Sequence, residues 1–254
     1  MYLWLASKFG ETGPRMMKAG EALSATVEEY LESIYNMSVE GELVIGARLA
    51  EKFGVSAPTV TEMLKRLVKS GYIEMDSKRH ITLTEAGYEA AEAVLRRHRL
   101  TERFLVDMLG MQWHQVHEEA CRLEHFISGA VESRVIASLD LPQTCPHGNP
   151  IPGIVPNART YLKDNHALRL SSVSEGQQVT VLCISEVVED EEALILYLHQ
   201  KGITPRMHVT VLSQEHVEPD VDPTARGEQF LLQVDGRQVA ISKASAAKIW
   251  VVAD

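Results

Sequence analysis

Apolar residues recur at helical spacing in the first part of the chain and predict three successive helices. The first covers 26–37, and its apolar face is formed by Val27, Tyr30, Leu31 and Ile34. The second covers 45–53. The third covers 57–69, follows a favourable N-cap at Ser56 and stops before Gly71.

Two short strands are predicted next, at 72–75 and 81–84, around a polar turn at 76–79. Helix, turn, helix and hairpin in this order are typical of a winged helix-turn-helix. A small structural bundle is the alternative, but the outer face of the third helix is small and polar where a packed bundle would be apolar. Its residues are Ser56, Thr59, Thr61, Glu62 and Lys65.

Basic residues concentrate between 46 and 80, although the whole chain carries a formal net charge of −10. That charge argues against a general nucleic-acid binder but not against a locally basic reading surface. For Glu62 two roles stay open, as an acceptor from cytosine N4 or as a source of repulsion. The predicted DNA-binding residues are Arg48, Ser56, Pro58, Thr59, Thr61, Glu62, Lys65, Lys78 and Arg79.

Two longer helical stretches are predicted over 84–109 and 114–139. Their apolar positions exceed what one small DNA-binding head can cover. This excess favours a dimer core, although a bundle within one chain would give the same pattern.

The composition changes at 141, where five prolines with Gly148 and Gly153 indicate an irregular, partly stiff linker. Alternating patterns then predict a small SH3-like barrel with one helix over 191–201 and a type I′ turn at Asp235-Gly236. Its predicted strands are 178–184, 209–212, 230–234, 238–241 and 249–252.

The predicted fold class is mainly α with a small β domain. We expect five parts, and the length of 254 residues allows each domain a core. They are a flexible N-terminal extension (1–23), a winged helix-turn-helix (24–90), a helical metal-binding and dimerisation domain (91–140), a proline-rich linker (141–175) and the barrel (176–254).

Three cysteines form no disulfide framework, which favours a reducing, cytoplasmic location. The first residues are apolar but too short to span a bilayer, and they lack the basic segment of a signal peptide. We therefore expect no membrane partner, and Met16 or Met17 is an alternative start.

The most informative chemistry lies on the predicted helix after 114. Cys121, Glu124 and His125 share one face, and His117 lies one turn earlier. A thiolate, a carboxylate and two imidazoles on one stripe can hold a divalent transition metal. His98 and the carboxylate four residues after it repeat this spacing on the preceding helix. The alternative is a charged helix face with spare histidines.

Four segments carry a family resemblance, namely 56–61, 97–102, 116–125 and 146–153. With them the chain resembles the diphtheria-toxin-repressor family of metalloregulators, which includes the DtxR, MntR and IdeR branches, with a C-terminal FeoA-like domain. The resemblance implies a homodimeric repressor that binds palindromic DNA when it is loaded with Fe(II) or Mn(II), and that controls metal-homeostasis genes.

By position, the resemblance implies two metal sites per subunit. The primary site would use Glu29, Cys121, Glu124 and His125, with Glu32 joining or bridging, and the second site would use His98, Glu102 and His117. Streptococcal manganese regulators of this family add a cysteine and a histidine from the proline-rich loop. That implies Cys145, His147 and an acid of the run 189–192, for which we take Glu191. A simple turn, and acids that favour a helix N-terminus, are the alternatives.

The identity of the metal stays open. The iron branch has methionine where this chain has Glu29, and the manganese branch has a carboxylate where it has Cys121. Carboxylates favour Mn(II), whereas a thiolate favours Fe(II), Co(II) or Zn(II), so the last two could replace the natural ion in vitro.

Two other functions are weighed against a repressor. A metal-dependent hydrolase fused to a reading head needs a general base, and the sequence lacks the zincin motif because Cys121 stands where a histidine is required. We therefore assign no catalytic residue, expect no enzyme and expect no small organic substrate. A metal-binding scaffold is the second alternative, and an activator rather than a repressor is also open.

Overall fold

A computed structural model describes residues 23–188, 190–217 and 227–253 of the chain. Almost all of the predicted N-terminal extension lies outside the described residues. The described part begins with a winged helix-turn-helix, which confirms the predicted element order. It consists of α1 (Ala25–Val39), α2 (Gly46–Phe53), α3 (Ala57–Lys69), β1 (Ile73–Met75) and β2 (Ile81–Leu83).

Local sequence explains the boundaries of α2 and α3. Gly54 ends α2 in the left-handed conformation, with φ of 60°. Ser56 then caps α3 by accepting the Thr59 N–H at 3.4 Å, and Pro58 fits in the first turn. These five elements, which we call the reading head, enclose a core in which the rings of Tyr30 and Phe53 stack with their centroids 4.4 Å apart.

The middle of the chain is helical, with α4 (Glu85–Asp107), α5 (Val116–Leu123) and α6 (Gly129–Ser138). The prediction of one continuous helix over 114–139 was wrong. After a single 3₁₀ turn at Glu124–Phe126, Ile127 is extended, with ψ of 116°. Ser128 then caps α6 through the Val131 N–H, so a new helix begins there.

The proline-rich segment is irregular, as predicted, but parts of it are packed. Cys145, His147 and Ile151 are buried. Gly148 has φ of 88°, and a Cβ there would lie 2.2 Å from the Leu182 carbonyl oxygen, so only glycine permits this approach to the barrel. A short α7 (Tyr161–Asp164) follows.

The C-terminal domain is a six-stranded antiparallel sheet around a core that includes Phe230 and Val251. Its neighbouring strands begin, in order across the sheet, at residues 168, 249, 178, 208, 227 and 237. Asp235 and Gly236 both have positive φ, as the predicted type I′ turn requires. The elements are β3 (Leu168–Arg169), β4 (Gln178–Ile184), α8 (Glu191–Lys201), β5 (His208–Val217), β6 (Gly227–Val234), β7 (Arg237–Ser242), α9 (Lys243–Ala246) and β8 (Ile249–Ala253).

The observed architecture confirms the predicted fold class of a mainly α chain with a small β domain. The short β3 and α9 were not predicted. The exact domain boundaries stay predictions. Within the described ranges, no helix is long and apolar enough to cross a lipid bilayer.

Candidate metal centre and DNA-reading surface

Potential metal ligands from α1, α4, α5, the 3₁₀ turn after α5 and the proline-rich segment meet at the junction of the three domains. Among the described residues they form three triads, in each of which one donor atom per residue lies within 4.8 Å of the others. We call them the α1 triad (Glu29, Glu124, His125), the central triad (His98, His117, Cys121) and the loop triad (Glu102, Cys145, His147). The predicted ligands therefore lie close together. Cys121 was predicted for the primary site, but its triad partners are His98 and His117.

The α1 triad joins the reading head to the helices that follow it. Nε2 of His125 lies 3.3 Å from Glu29 Oε1 and 3.3 Å from Glu124 Oε1. Its other nitrogen, Nδ1, lies 2.6 Å from Glu28 Oε2, and Glu28 also accepts from Arg97 at 2.7 Å. The ring thus presents one nitrogen to the acidic group and is oriented through the other.

His98 connects the α1 triad with the two other triads. Nδ1 of His98 lies 2.5 Å from Glu124 Oε2, and Nε2 lies 3.3 Å from Glu102 Oε1. Cys121 Sγ lies 4.0 Å from His98 Nδ1 and 3.6 Å from His117 Nε2. Because His98, Glu102 and Glu124 are all buried, the network is largely shielded from water.

The loop triad brings the proline-rich segment and the barrel to the same place. Nδ1 of His147 lies 3.0 Å from Glu102 Oε1. Nδ1 of His117 lies 3.8 Å from Glu102 Oε1 and 3.4 Å from Glu191 Oε1 at the start of α8. Glu191 is thus placed beside the predicted second site, whereas Glu189 of the same acidic run lies outside the described residues.

Several buried polar atoms at this junction have no well-oriented hydrogen bond. They include both carboxylate oxygens of Glu102 and the Nδ1 atoms of His117 and His147. His147 Nδ1 lies within hydrogen-bonding distance of Glu102 Oε1, but the angle does not suit a hydrogen bond. Unpaired buried polar atoms are rare in proteins. A divalent cation among these nitrogen, oxygen and sulfur donors would pair them, so the residues present fit a metal.

The acidic groups of the cluster raise the pKa values of its buried histidines. Burial alone would lower the pKa of His98, but Glu102, Cys121 and Glu124 raise it well above its usual value. Burial would likewise lower the pKa of His117, but Glu191, Cys121 and Glu102 raise it to about 12. These shifts favour the protonated form of both imidazoles at neutral pH, and a metal that used them as ligands would have to displace those protons.

The pKa values of Glu32 and Cys121 shift in opposite directions. Burial raises the pKa of Glu32, and the nearby carboxylate of Glu124 raises it further. Burial would raise the pKa of the Cys121 thiol, but hydrogen bonds with His117 and His98 lower it. Glu32 thus lies within electrostatic reach of the cluster, but it belongs to none of the three triads, and its role as a ligand stays a prediction.

Most of the predicted DNA-reading residues lie on the exposed side of α3 and on the wing, whereas Arg48 lies on α2 and pairs with Glu42 at 2.5 Å. Ser56, Pro58, Thr59, Glu62 and Lys65 are exposed. Side chains on this face also restrain one another. The hydroxyl groups of Ser56 and Thr59 lie 2.9 Å apart, Thr61 donates to the Ala57 carbonyl, and Lys65 pairs with Glu62 at 3.7 Å.

The wing turn depends on a residue that the sequence analysis did not single out. The Asp76 carboxylate accepts the backbone N–H groups of Lys78 and His80, both at 2.8 Å. This shapes the turn that carries Lys78 and Arg79, two of the predicted DNA-binding residues. The signal was present in the sequence, because an aspartate at the first position of a turn commonly accepts from the following backbone.

Large apolar side chains remain exposed on the helical domain. Phe126 is 86% exposed, and Leu123 and Val131 are also exposed. Exposed apolar groups of this size on neighbouring turns are typical of an interface. Their position supports the predicted dimer surface.

Three protein-family profiles match the chain. They are the iron-dependent repressor N-terminal DNA-binding domain over 22–81, the iron-dependent repressor metal-binding and dimerisation domain over 84–153, and the FeoA domain over 168–253. The chain is also 40% identical over 191 residues to the iron-dependent repressor IdeR of Mycobacterium tuberculosis H37Rv, covering 73% of this chain and 83% of that protein. It belongs to the iron-dependent repressor family.

Other members of the family of metal-dependent transcriptional repressors show the same relationship. The diphtheria toxin repressor of Corynebacterium diphtheriae is 36% identical over 194 residues, which cover 75% of this chain and 85% of that protein. A solved manganese-dependent transcriptional repressor in complex with manganese has a TM-score of 0.72 and 31% identity, with 90% of this chain and all of that chain covered. The likeness thus extends to both iron-dependent and manganese-dependent repressors.

Four residues beside the candidate metal centre were not singled out by sequence reasoning. Glu28 and Arg97 orient His125, and Arg99 forms a buried ion pair with Glu186 at 2.7 Å. Glu28 had a weak signal, since it stands beside the predicted ligand Glu29. The Arg99–Glu186 pair had none, because its partners are 87 residues apart in the chain.

Proposed function

We propose that this repressor is activated by Mn(II) or Fe(II), binds two ions per subunit and, as a homodimer, represses metal-homeostasis genes at palindromic operators. One observation carries the proposal. Glu29 on α1, which is part of the reading head, lies 3.3 Å from Nε2 of His125 on the 3₁₀ turn that follows α5. A change at the metal centre therefore acts directly on the position of the head.

The proposed primary site comprises Glu29, Cys121, Glu124 and His125 with Glu32 at its edge, and His98 lies between it and the second site. The proposed second site comprises Glu102, His117, Cys145, His147 and Glu191. A bound divalent cation would supply the positive charge that the carboxylates and the thiolate of each site share. Co(II) and Zn(II) are expected to substitute in vitro.

The proposed mechanism follows from carboxylate repulsion. Glu29 on the head and Glu124 on the 3₁₀ turn are both drawn towards the same histidine, but their charges repel each other when no cation is shared. Holding them together fixes α1 against α4, and so fixes the separation of the two α3 helices in a dimer. Operator half-sites one turn apart require that separation to be ~34 Å. The free energy by which metal favours the DNA-binding arrangement equals the difference between the metal-binding free energies of the two arrangements.

On the operator, we propose that Ser56, Thr59, Thr61 and Lys65 meet phosphates and base edges, with Pro58 and Thr61 near thymine methyl groups. Arg48 and the wing residues Lys78 and Arg79 would contact the phosphate backbone. Glu62 is exposed on the same face and would accept from cytosine N4 or weaken binding elsewhere. We assign no catalytic residue, because every predicted role concerns binding of metal, DNA or a second subunit.

The test is a DNA-shift titration of the anaerobic, metal-free protein on its own promoter region, with Mn(II), Fe(II), Co(II) and Zn(II) in parallel. We expect binding only with metal, and the order of activation midpoints ranks the ions. Glu124→Ala and His125→Ala should abolish the metal-dependent shift yet leave a folded dimer. Tight binding by His125→Ala without metal would contradict the mechanism, and metal-indifferent binding by the wild type would favour a scaffold.

A further inference from the structure

The C-terminal barrel is attached to the reading head at the far end of α1. Glu40, which caps this end, accepts from the Ser185 hydroxyl at 2.6 Å, from Arg169 at 2.7 Å and from the Glu186 backbone N–H at 3.2 Å. Its side chain is only 6% exposed. Arg169 is itself held in place, because its guanidinium stacks on the Trp250 ring at 3.7 Å. All three donors belong to the barrel domain.

The same barrel segment, 185–187, also packs into the head. Val187 is buried in the hydrophobic core that α1, α2 and α3 share. Lys52 of α2 donates to the Glu186 carbonyl at 3.2 Å, and Lys248 of the barrel donates to the Val187 carbonyl at 2.6 Å. This segment therefore has both polar and apolar partners in the head.

A buried arginine connects this attachment with α4. Arg99 holds the Glu186 carboxylate through two hydrogen bonds at 3.1 and 2.7 Å, and it also donates to the Pro150 carbonyl at 2.6 Å. Burial would raise the pKa of Glu186, but Arg99 lowers it, so the carboxylate is charged at neutral pH. Paired buried charges of this kind are costly to separate. The segment is thus fixed to the head and to α4 at once.

We infer that the barrel is a positioning element for the DNA-reading head, and that Glu40 is its principal contact. Helix α1 is held at its beginning by Glu28 and Glu29 beside His125, and at its end by Glu40. These points are roughly 17 Å apart along a helix that rises ~1.5 Å per residue. One point of attachment leaves a helix free to swing about it, whereas two points determine its direction.

The two attachments differ in their dependence on metal. The proposed metal-binding residues on α1 lie in its first half, at Glu29 and Glu32, whereas the Glu40 contacts involve none of them. The barrel therefore holds the C-terminal end of α1 with or without metal, and only the N-terminal end of the helix changes position when metal binds. Because the direction of α1 sets the separation of the recognition helices, this inference rests on the proposed function, and the barrel should sharpen the preference for one spacing of half-sites.

The first experiment is hydrogen exchange on the full-length, metal-free wild type. The Glu186 N–H donates to Glu40 and the Val187 N–H donates to Ser185. We expect both amides to exchange at least about tenfold more slowly than in Glu40→Ala. Free exchange of these amides in the metal-free wild type would overturn the inference, whatever the protein does with DNA.

The second experiment measures affinity for a series of operators whose half-sites are moved apart or together by one and two base pairs, at saturating Mn(II). Glu40→Ala should reduce the discrimination against shifted operators about tenfold, and Glu40→Gln, which keeps an acceptor, should retain part of it. Leu232→Ala is the control, because Leu232 is buried in the barrel core on β6, a strand that pairs with β5 and β7 and not with β3.

The outcomes separate the two proposals. A wild type that does not respond to metal contradicts the proposed function, and the exchange experiment still decides on the attachment. Glu40→Ala with unchanged spacing discrimination overturns the inference. Equal loss in Leu232→Ala also overturns it, because barrel instability alone would then be the cause. If Glu40→Ala fails to fold, Ser185→Ala replaces it and is expected to show a smaller change in the same direction.

Discussion

Glu28 Oε2 lies 2.6 Å from Nδ1 of His125, and this contact leaves Nε2 of the ring facing Glu29 and Glu124. A carboxylate that accepts from the non-ligating nitrogen of a histidine fixes its tautomer and its direction. Glu28 is therefore expected to act on the metal through His125 rather than by direct coordination.

Glu28→Gln should weaken metal binding about 10- to 100-fold, which is the usual effect of removing such a partner. The measurement is an anaerobic competition titration against a chelator with known affinity. Glu89→Gln, an exposed change on α4, is the matched control and should leave the affinity unaltered. Unchanged affinity in Glu28→Gln would show that the contact does not orient the ligand.

Metal binding is expected to release protons at neutral pH. The pKa of His98 is raised well above its usual value, and that of His117 is raised to about 12, so both are protonated before metal binds. Because a raised pKa means tighter proton binding, metal affinity should fall as the pH is lowered. Calorimetry in two buffers with different ionisation enthalpies counts the protons released. Equal heats in both buffers would contradict the prediction.

The proposed second site can be removed without disturbing the first. His147→Gln replaces a buried imidazole beside Glu102 by a neutral side chain of similar reach. We expect the number of bound Mn(II) ions to fall from two to one per subunit, while the α1 triad still binds. Metal analysis after gel filtration measures this number. Two ions in the variant would exclude His147 as a necessary ligand.

Phe126 is expected to lie in the dimer interface. With 86% of it exposed in a single subunit, Phe126→Glu should not disturb the fold of that subunit. A charge in an apolar interface should nevertheless produce a monomer, with operator affinity reduced at least about 100-fold because one half-site is lost. Light scattering gives the mass. Leu196→Glu, an exposed change on α8, is the control and should leave a dimer.

Much of the secondary structure could be predicted because its signals are local. The bounds of α3 followed from Ser56 and the apolar spacing, and the hairpin at Asp235-Gly236 followed from turn chemistry. The break between α5 and α6 was missed, because a helical apolar pattern continues through Ile127. The Ser128 cap that starts a new helix there is a weaker signal than the pattern it interrupts.

The sequence by itself determined which residues share a face of one helix, including Cys121 with His117 and His98 with Glu102, because the helical period is a property of neighbouring residues. It also determined the family. Only the tertiary structure decided which faces meet: His98 with Glu124, Glu28 with His125, and Glu40 with the barrel. Those contacts join residues that are far apart in the chain, and the packing of whole domains, rather than local spacing, brings them within hydrogen-bonding distance.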